Sequence, residues 1–144
     1  MHDEERARRS AEAMMANDRA SPWFGMTLDE VGPGYAKMSL TVRDDHLNGH
    51  SICHGGVIFA LADSAFAFAC NTHNRNAVAQ HNQISYLSPG RGGEVLTAEA
   101  REISLKGRSG ITDVTVTGGD GRVVALFRGA SRMIDGTHFD EGEA

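Results

Sequence analysis

Cysteine is scarce in this chain: Cys53 and Cys70 are the two in 144 residues. Two thiols cannot build the disulfide framework that staples small secreted domains, so the expectation is a reduced, cytoplasmic protein. Long hydrophobic runs are missing as well, and nothing approaches the ~20 apolar residues of a membrane span. The opening stretch MHDEERARRSAEAMMAND is charged throughout and has no apolar signal core. Basic charge is short: 14 Lys and Arg stand against 19 Asp and Glu, for a net charge of -5. That balance removes the positive footprint that non-specific nucleic-acid binding needs. No repeat, linker or low-complexity block interrupts the chain. What is present is an ordinary globular composition, 40% hydrophobic and 23% charged. One domain of this length hides roughly 70% of its unfolded surface without covalent staples.

Residues 3 to 18 mix charge with Ala and Met and read as a surface helix. Ser21-Pro22 fits the start of a short helical turn, with Ser as the cap and Pro at the first helical position. Gly32-Pro33-Gly34 splits two runs, and the second, YAKMSLTV, puts Ala36, Met38, Leu40 and Val42 on one face. The pair reads as a hairpin. Residues 43 to 56 are loop-like, anchored by Leu47 and Ile52. Residues 55 to 72 form the longest apolar stretch, and its length and Ala content favour helix over strand. A helix apolar nearly all round is buried on most sides. The second half supplies strands at Ala77–Leu87, Glu94–Ser104, Gly110–Thr117 and Arg122–Met133, separated by turns at Ser88-Pro89-Gly90, Lys106-Gly107-Arg108 and Gly118-Gly119-Asp120-Gly121.

The order is helix, two strands, a long buried helix, four strands. Antiparallel strands with a segregated helix indicate an α+β fold: a hotdog, with the helix wrapped by a curved antiparallel sheet of about six strands. The divisions are residues 1–20 as an N-terminal surface helix, 21–134 as the hotdog domain, and 135–144 as an acidic, flexible tail.

The stretches LNGHSICHGG...LADSAFAFA, ISYLSPGRGGEVLTAEA and ALFRGASR, spanning residues from about 23 to 134, resemble the PaaI branch of the hotdog-fold acyl-CoA thioesterases. The resemblance implies hydrolysis of acyl-CoA, with aryl-acetyl-CoA compounds of phenylacetate breakdown as the associated substrates. It places the family's helix carboxylate on Asp63, its helix-start glycine on Gly55 and its preceding asparagine on Asn48. It also implies sites at subunit interfaces, a dimer-shared site and pairs of dimers, hence a homotetramer. Some relatives carry a small hydroxyl residue in the following strand to help hold water. This chain departs there, reading VAQHNQ over residues 78–83, and Gln80, His81 and Asn82 are the candidates.

The chemistry stands on the residues too. Thioester hydrolysis needs an activated water or nucleophile and donors for an oxyanion. Gly55-Gly56 opens the buried helix, where N–H groups lack partners and partial positive charge gathers. Glycine lets a substrate approach that backbone closely. Asp63 interrupts the apolar run. An unpartnered ion there would cost several kcal/mol, so it is either satisfied locally, as by Ser64, or it faces a water-filled cleft. Gly55 and Asp63 lie eight residues apart, about 12 Å of helical rise. That separation favours a site in which Asp63 of one subunit meets Gly55 and Asn48 of another. General base and direct nucleophile both remain open for Asp63.

His46, His50, Cys53 and His54 suggest metal ligands, but Asn48-Gly49 speaks against one helix face. Cys53-His54 suggests a nucleophilic thiol, but neighbours in sequence rarely point together, and a reactive thiol needs an electropositive, accessible setting. Small buried thiols are the simpler reading, so neither a metal nor a cofactor is expected; CoA is part of the substrate. Residues placed against substrate are His54, Gln80, His81, Asn82, and the turn cations Lys106 and Arg108, which suit CoA phosphates. No nucleic acid or membrane partner is expected. The competing function is a non-catalytic acyl-CoA-binding hotdog protein.

Overall fold

Period-two alternation becomes strand and the long apolar run becomes helix. In the computed structural model, which describes residues 1–142, the chain runs α1 (Asp3–Asn17), α2 (Ala20–Phe24), β1 (Met26–Gly32), β2 (Tyr35–Thr41), a 3-10 turn (Asp44–His46), α3 (Gly55–Cys70), β3 (Ala77–Tyr86), β4 (Val95–Lys106), β5 (Ser109–Thr117) and β6 (Val123–Met133). The strands form one antiparallel sheet in the order β1-β2-β4-β5-β6-β3. The fold is the α+β hotdog, six strands wrapped on α3.

Alternation decides which side of the sheet is inside. Ala36, Met38 and Leu40 of β2, Leu96, Ala98 and Ala100 of β4, and Val114 and Val116 of β5 are all buried. They meet Ile58, Leu61, Ala65, Phe66, Phe68 and Ala69 of α3 in one core. Each large side chain so buried contributes about 1.5–3 kcal/mol. The helix presses on the sheet at Gly129, where an added Cβ would stand 2.6 Å from the Phe66 ring. Glycine at that strand position is what lets Phe66 seat.

Coverage of α3 is less complete than its composition suggests. Gly56, Ala60, Asp63, Ser64 and Ala67 stay exposed or half-buried. They recur at helical spacing, so they form one stripe that this chain's own sheet covers incompletely. At the other edge of the sheet, β3 is half-covered at best along its whole length.

The short α2 does not begin as expected. It starts at Ala20, two residues earlier, with Arg19 in the cap position and no side-chain cap bond from it. Ser21 is inside the helix, and Asp18 supplies the acceptor: its carboxylate takes Ser21 N–H at 2.9 Å and Ser21 Oγ–H at 2.6 Å. Pro22 is tolerated because the first-turn N–H it lacks would be orphaned anyway. The N-terminal helix α1 lays Ala7, Ser10 and Ala11 inward against β1. Arg6 on α1 grips Glu141 through two 3.0 Å bonds, and Asn74 Nδ2 donates to Phe139 O and to Glu141. The last two residues of the expected tail lie outside the described residues.

Candidate active site

The segment 43–56 is a loop because its polar side chains satisfy its own backbone. Asn48 Oδ1 accepts from His50 N at 2.9 Å and Ile52 N at 3.4 Å, while Asn48 N donates to Ile52 O at 2.8 Å. The buried His46 ties the loop to the helix start: its Nδ1 accepts from Arg43 N at 3.1 Å and its carbonyl from His54 N at 2.8 Å. His54 caps α3 by accepting Gly56 N–H on Nδ1 at 2.8 Å. Among the donors that these bonds leave free, two stand beside the helix start. Among the described residues, neither Gly55 N–H nor Asn48 Nδ2 has an acceptor.

Both free donors border a cleft of about 390 Å³ lined by Asn48, Ile52, Cys53, Gly55, Ile58, Tyr86, Leu87, Ser88 and Pro89. Its walls are mostly apolar, as ligand sites usually are. Tyr86 ends β3 and donates its hydroxyl to Gly55 O at 2.8 Å. Burial raises its phenol above the ordinary value, so it stays a donor at neutral pH. Cys53 is buried beside the cleft and its thiol is pushed up to about 11, chiefly by burial. It is a neutral wall.

Asp63 lies elsewhere, two turns further along α3. Asn82 Nδ2 donates to its Oδ1 at 3.0 Å, and that is its one hydrogen bond among the described residues. Burial raises the Asp63 carboxyl above its ordinary value, and the Asn82 bond offsets only part of this. Asn82 keeps its own Oδ1 buried without a partner. Of the three candidates in β3, the fold brings Asn82 to Asp63. Gln80 and His81 are exposed at a bulge in the β3–β6 register and do not reach it.

Within one chain the expected site therefore splits. Asn48, His54 and Gly55 sit together at the start of α3, and Asp63 with Asn82 sit about 12 Å along the helix. The cations of the β4–β5 turn join neither group. Ser109, at that turn, pairs with Arg132, while Tyr86, at the cleft, pairs with Ala125, seven residues or about 23 Å down the same strand. Arg108 pairs with Asp135 at 3.5 Å, and Lys106 is exposed. No group of three or more His, Cys, Asp or Glu suited to a metal occurs among the described residues, and none of their helices is long and apolar enough to cross a membrane.

Tyr86 is the residue the sequence reading passed over. Nothing in ISYLSP marks it as part of a site. The available signal was its position: Asn82, Ile84 and Tyr86 alternate on one face of β3, so a strand that brings Asn82 to the helix brings Tyr86 there too.

The comparisons with known proteins identify the family. The family model described as Thioesterase superfamily matches residues 50–125, which carry both parts of the split site except Asn48. The chain is 40% identical over 132 residues to Acyl-coenzyme A thioesterase PaaI of Escherichia coli (strain K12), covering 92% of this chain and 94% of that protein. The solved structure of the E. coli PaaI protein, from the phenylacetic acid degradation operon, superposes with a TM-score of 0.93 at 39% identity, covering 94% of this chain and 99% of that one. A Streptococcus mutans UA159 protein solved bound to acetyl CoA matches with a TM-score of 0.75 at 25% identity, covering 78% of this chain and 90% of that one. A carboxylate on the helix, free donors at its start and these matches lead to one assignment: the chain belongs to the thioesterase superfamily, on its PaaI-type hotdog branch.

Proposed function

We propose that the protein hydrolyses acyl-CoA thioesters to free acid and CoA, with phenylacetyl-CoA or hydroxyphenylacetyl-CoA as the substrate. The observation that carries this is Asp63: a half-buried carboxylate with one neutral partner, on a stripe of α3 that its own sheet leaves open. Asp63 takes a proton from water as the water oxygen attacks the thioester carbon. Asn82 holds the carboxylate through Nδ2. The carbonyl oxygen becomes an oxyanion held by Gly55 N–H and Asn48 Nδ2. Collapse breaks the C–S bond, the CoA sulfur leaves with the electron pair, and the proton on Asp63 passes to it. The carboxylate is then free for another turn.

The two parts meet when a second copy supplies one of them: Asp63 and Asn82 of one subunit face Gly55 and Asn48 of the other. Three observations support a shared site. The parts are separated along α3 in each chain. The open stripe of α3 consists of Gly56, Ala60, Ser64 and Ala67 around Asp63, and small residues allow close approach. Among the described residues the ten-residue edge strand β3 has no neighbour on its outer side, and proteins rarely leave such an edge bare. The exposed side chains Ile103 and Leu126 offer apolar surface for pairing dimers into a tetramer. This reading assigns Lys106 and Arg108 to the CoA phosphates and His54 to the surroundings of the thioester.

The test is thiol release from a panel of acyl-CoAs, wild type beside Asp63→Ala. Losing a general base costs about 10²–10⁴-fold, so the variant is expected to be folded and nearly inactive, and the panel ranks the acyl groups. A wild type that binds acyl-CoA but releases no thiol from any of them would make the protein a non-catalytic acyl-CoA binder.

A further inference from the structure

The proposed chemistry asks that Gly55 N–H be fixed before substrate arrives, because a donor that must turn into place stabilises an oxyanion less than one already there. Two peptide planes flank the Gly55 Cα. In the first, the His54 carbonyl accepts from Val57 N at 2.9 Å and Ile58 N at 3.3 Å. In the second, Gly56 N–H donates to His54 Nδ1 at 2.8 Å, and the Gly55 carbonyl accepts from the Tyr86 hydroxyl at 2.8 Å. Every polar group on these planes is engaged except Gly55 N–H, the one that opens on the cleft. Tyr86 is also the one member of this set that comes from the sheet and not from the helix. It ties the first turn of α3 to the end of β3.

The ring matters as well as the hydroxyl. A Cβ on Gly55 would stand 3.2 Å from Tyr86 Cζ and 3.2 Å from its oxygen, so the aromatic edge occupies the space a side chain would take. Yet Tyr86 is 52% exposed and belongs to the cleft wall rather than the core. A solvent-facing phenol pressed on a helix-start glycine is poor use of a core-building residue and good use of a brace.

We infer that Tyr86 is a positioning residue: by holding the Gly55 carbonyl it fixes the Gly55–Gly56 plane and, across the Gly55 Cα, keeps the Gly55 N–H of the preceding plane turned to the cleft. This rests on the thioesterase reading above, and the experiment separates the two. Tyr86→Phe keeps the ring and removes the clamp. Losing an oxyanion donor outright costs about 10²–10³-fold, so loosening one is expected to lower kcat by about 3- to 30-fold. KM stays nearly unchanged, and the factor is the same for short, long and aryl acyl-CoAs, because the carbonyl is common to all. The second readout is the infrared carbonyl stretch of acyl-CoA bound to Asp63→Asn protein. Adding Tyr86→Phe is expected to move that band back toward its position in free acyl-CoA. An unmoved band would overturn the inference. So would an unchanged kcat with a KM that changes according to acyl group, since Tyr86 would then be a pocket wall. If the wild type releases no thiol, the hydrolase reading fails, while the carbonyl band still decides whether Tyr86 holds Gly55.

Discussion

Asp63 and Glu94 are two carboxylates held largely out of water, and the fold treats them in opposite ways. Glu94 has a partner on every side. Arg122 binds it with two nitrogens, at 2.7 Å to Oε1 and 3.0 Å to Oε2, while Arg91 N and Gly119 N donate to the same two oxygens. The Arg122 guanidinium holds the Glu94 carboxyl down to about 2. Asp63 has one amide, and burial moves its carboxyl the other way. A buried charge that serves only the fold must be fully partnered, or its desolvation is uncompensated. Asp63 is left short of partners, and what it lacks is what a water and a substrate can supply. That contrast supports the catalytic role proposed for it more firmly than its position in a motif does.

The largest effect expected from this contrast is complementation between defective chains. Asp63→Ala and Asn48→Ala protein are each expected to be nearly inactive. If Asp63 of one chain works on Asn48 and Gly55 of another, a mixed dimer contains one site with both defects and one with neither. Random pairing then restores about a quarter of wild-type thiol release on co-expression. No recovery would mean that each site lies within one chain, and the split geometry would need another explanation.

A smaller effect is expected at the structural carboxylate. Glu94→Gln removes a charge-assisted network that braces the β4 entry against the β5–β6 turn. Bonds to charged groups are the stronger ones, and the expected cost is a thermal midpoint lower by about 3–8 °C. Thiol release per folded molecule should not change. The sign with pH follows from the lowered carboxyl: Glu94 contributes stability above its unfolded value of 4.5, and that contribution is lost as pH falls toward about 2. The gap between wild type and Glu94→Gln should therefore close across that acid window in thermal melts. A large loss of activity without a loss of midpoint would put Glu94 in the site and erase the contrast.

How much of this was legible in the sequence depends on how local the cause was. The strands follow from alternation, as in Ala36, Met38 and Leu40, and the long helix from a run too long for a strand. Asp63 could be found because it interrupts that run. The start of α2 was misplaced because Asp18, not Ser21, supplies the capping acceptor, and residue preference alone cannot say which of two nearby oxygens turns inward. The Glu94–Arg122 pair spans 28 residues and exists only once β4 and the following hairpin are docked. Tyr86 and Gly55 are 31 apart, and no local pattern links a strand's last residue to a helix's first. The choice of Asn82 over Gln80 and His81 turned on a bulge that shifts the β3 register, and bulges leave little trace in composition.

The smallest expected effect is also the sharpest, because it asks one group for two signals. Burial raises the Asp63 carboxyl above its ordinary 3.8. Between that value and the raised one, the folded protein keeps a proton that the unfolded chain has lost, so stability falls as pH rises through the window. Ionised Asp63 is thus a standing cost at neutral pH, and Asp63→Asn, though expected to be inactive, is expected to melt about 1–4 °C higher than wild type there. The gap should narrow as pH falls and vanish near the ordinary Asp value. The same carboxylate must be ionised to take a proton from water, so kcat/KM should rise with pH through the raised value. Thermal melts and thiol-release rates share no measurement, yet both should bend at one pH. If Asp63→Asn instead melts lower at neutral pH and the acid limb sits at the ordinary carboxylate value, Asp63 is a satisfied structural charge like Glu94.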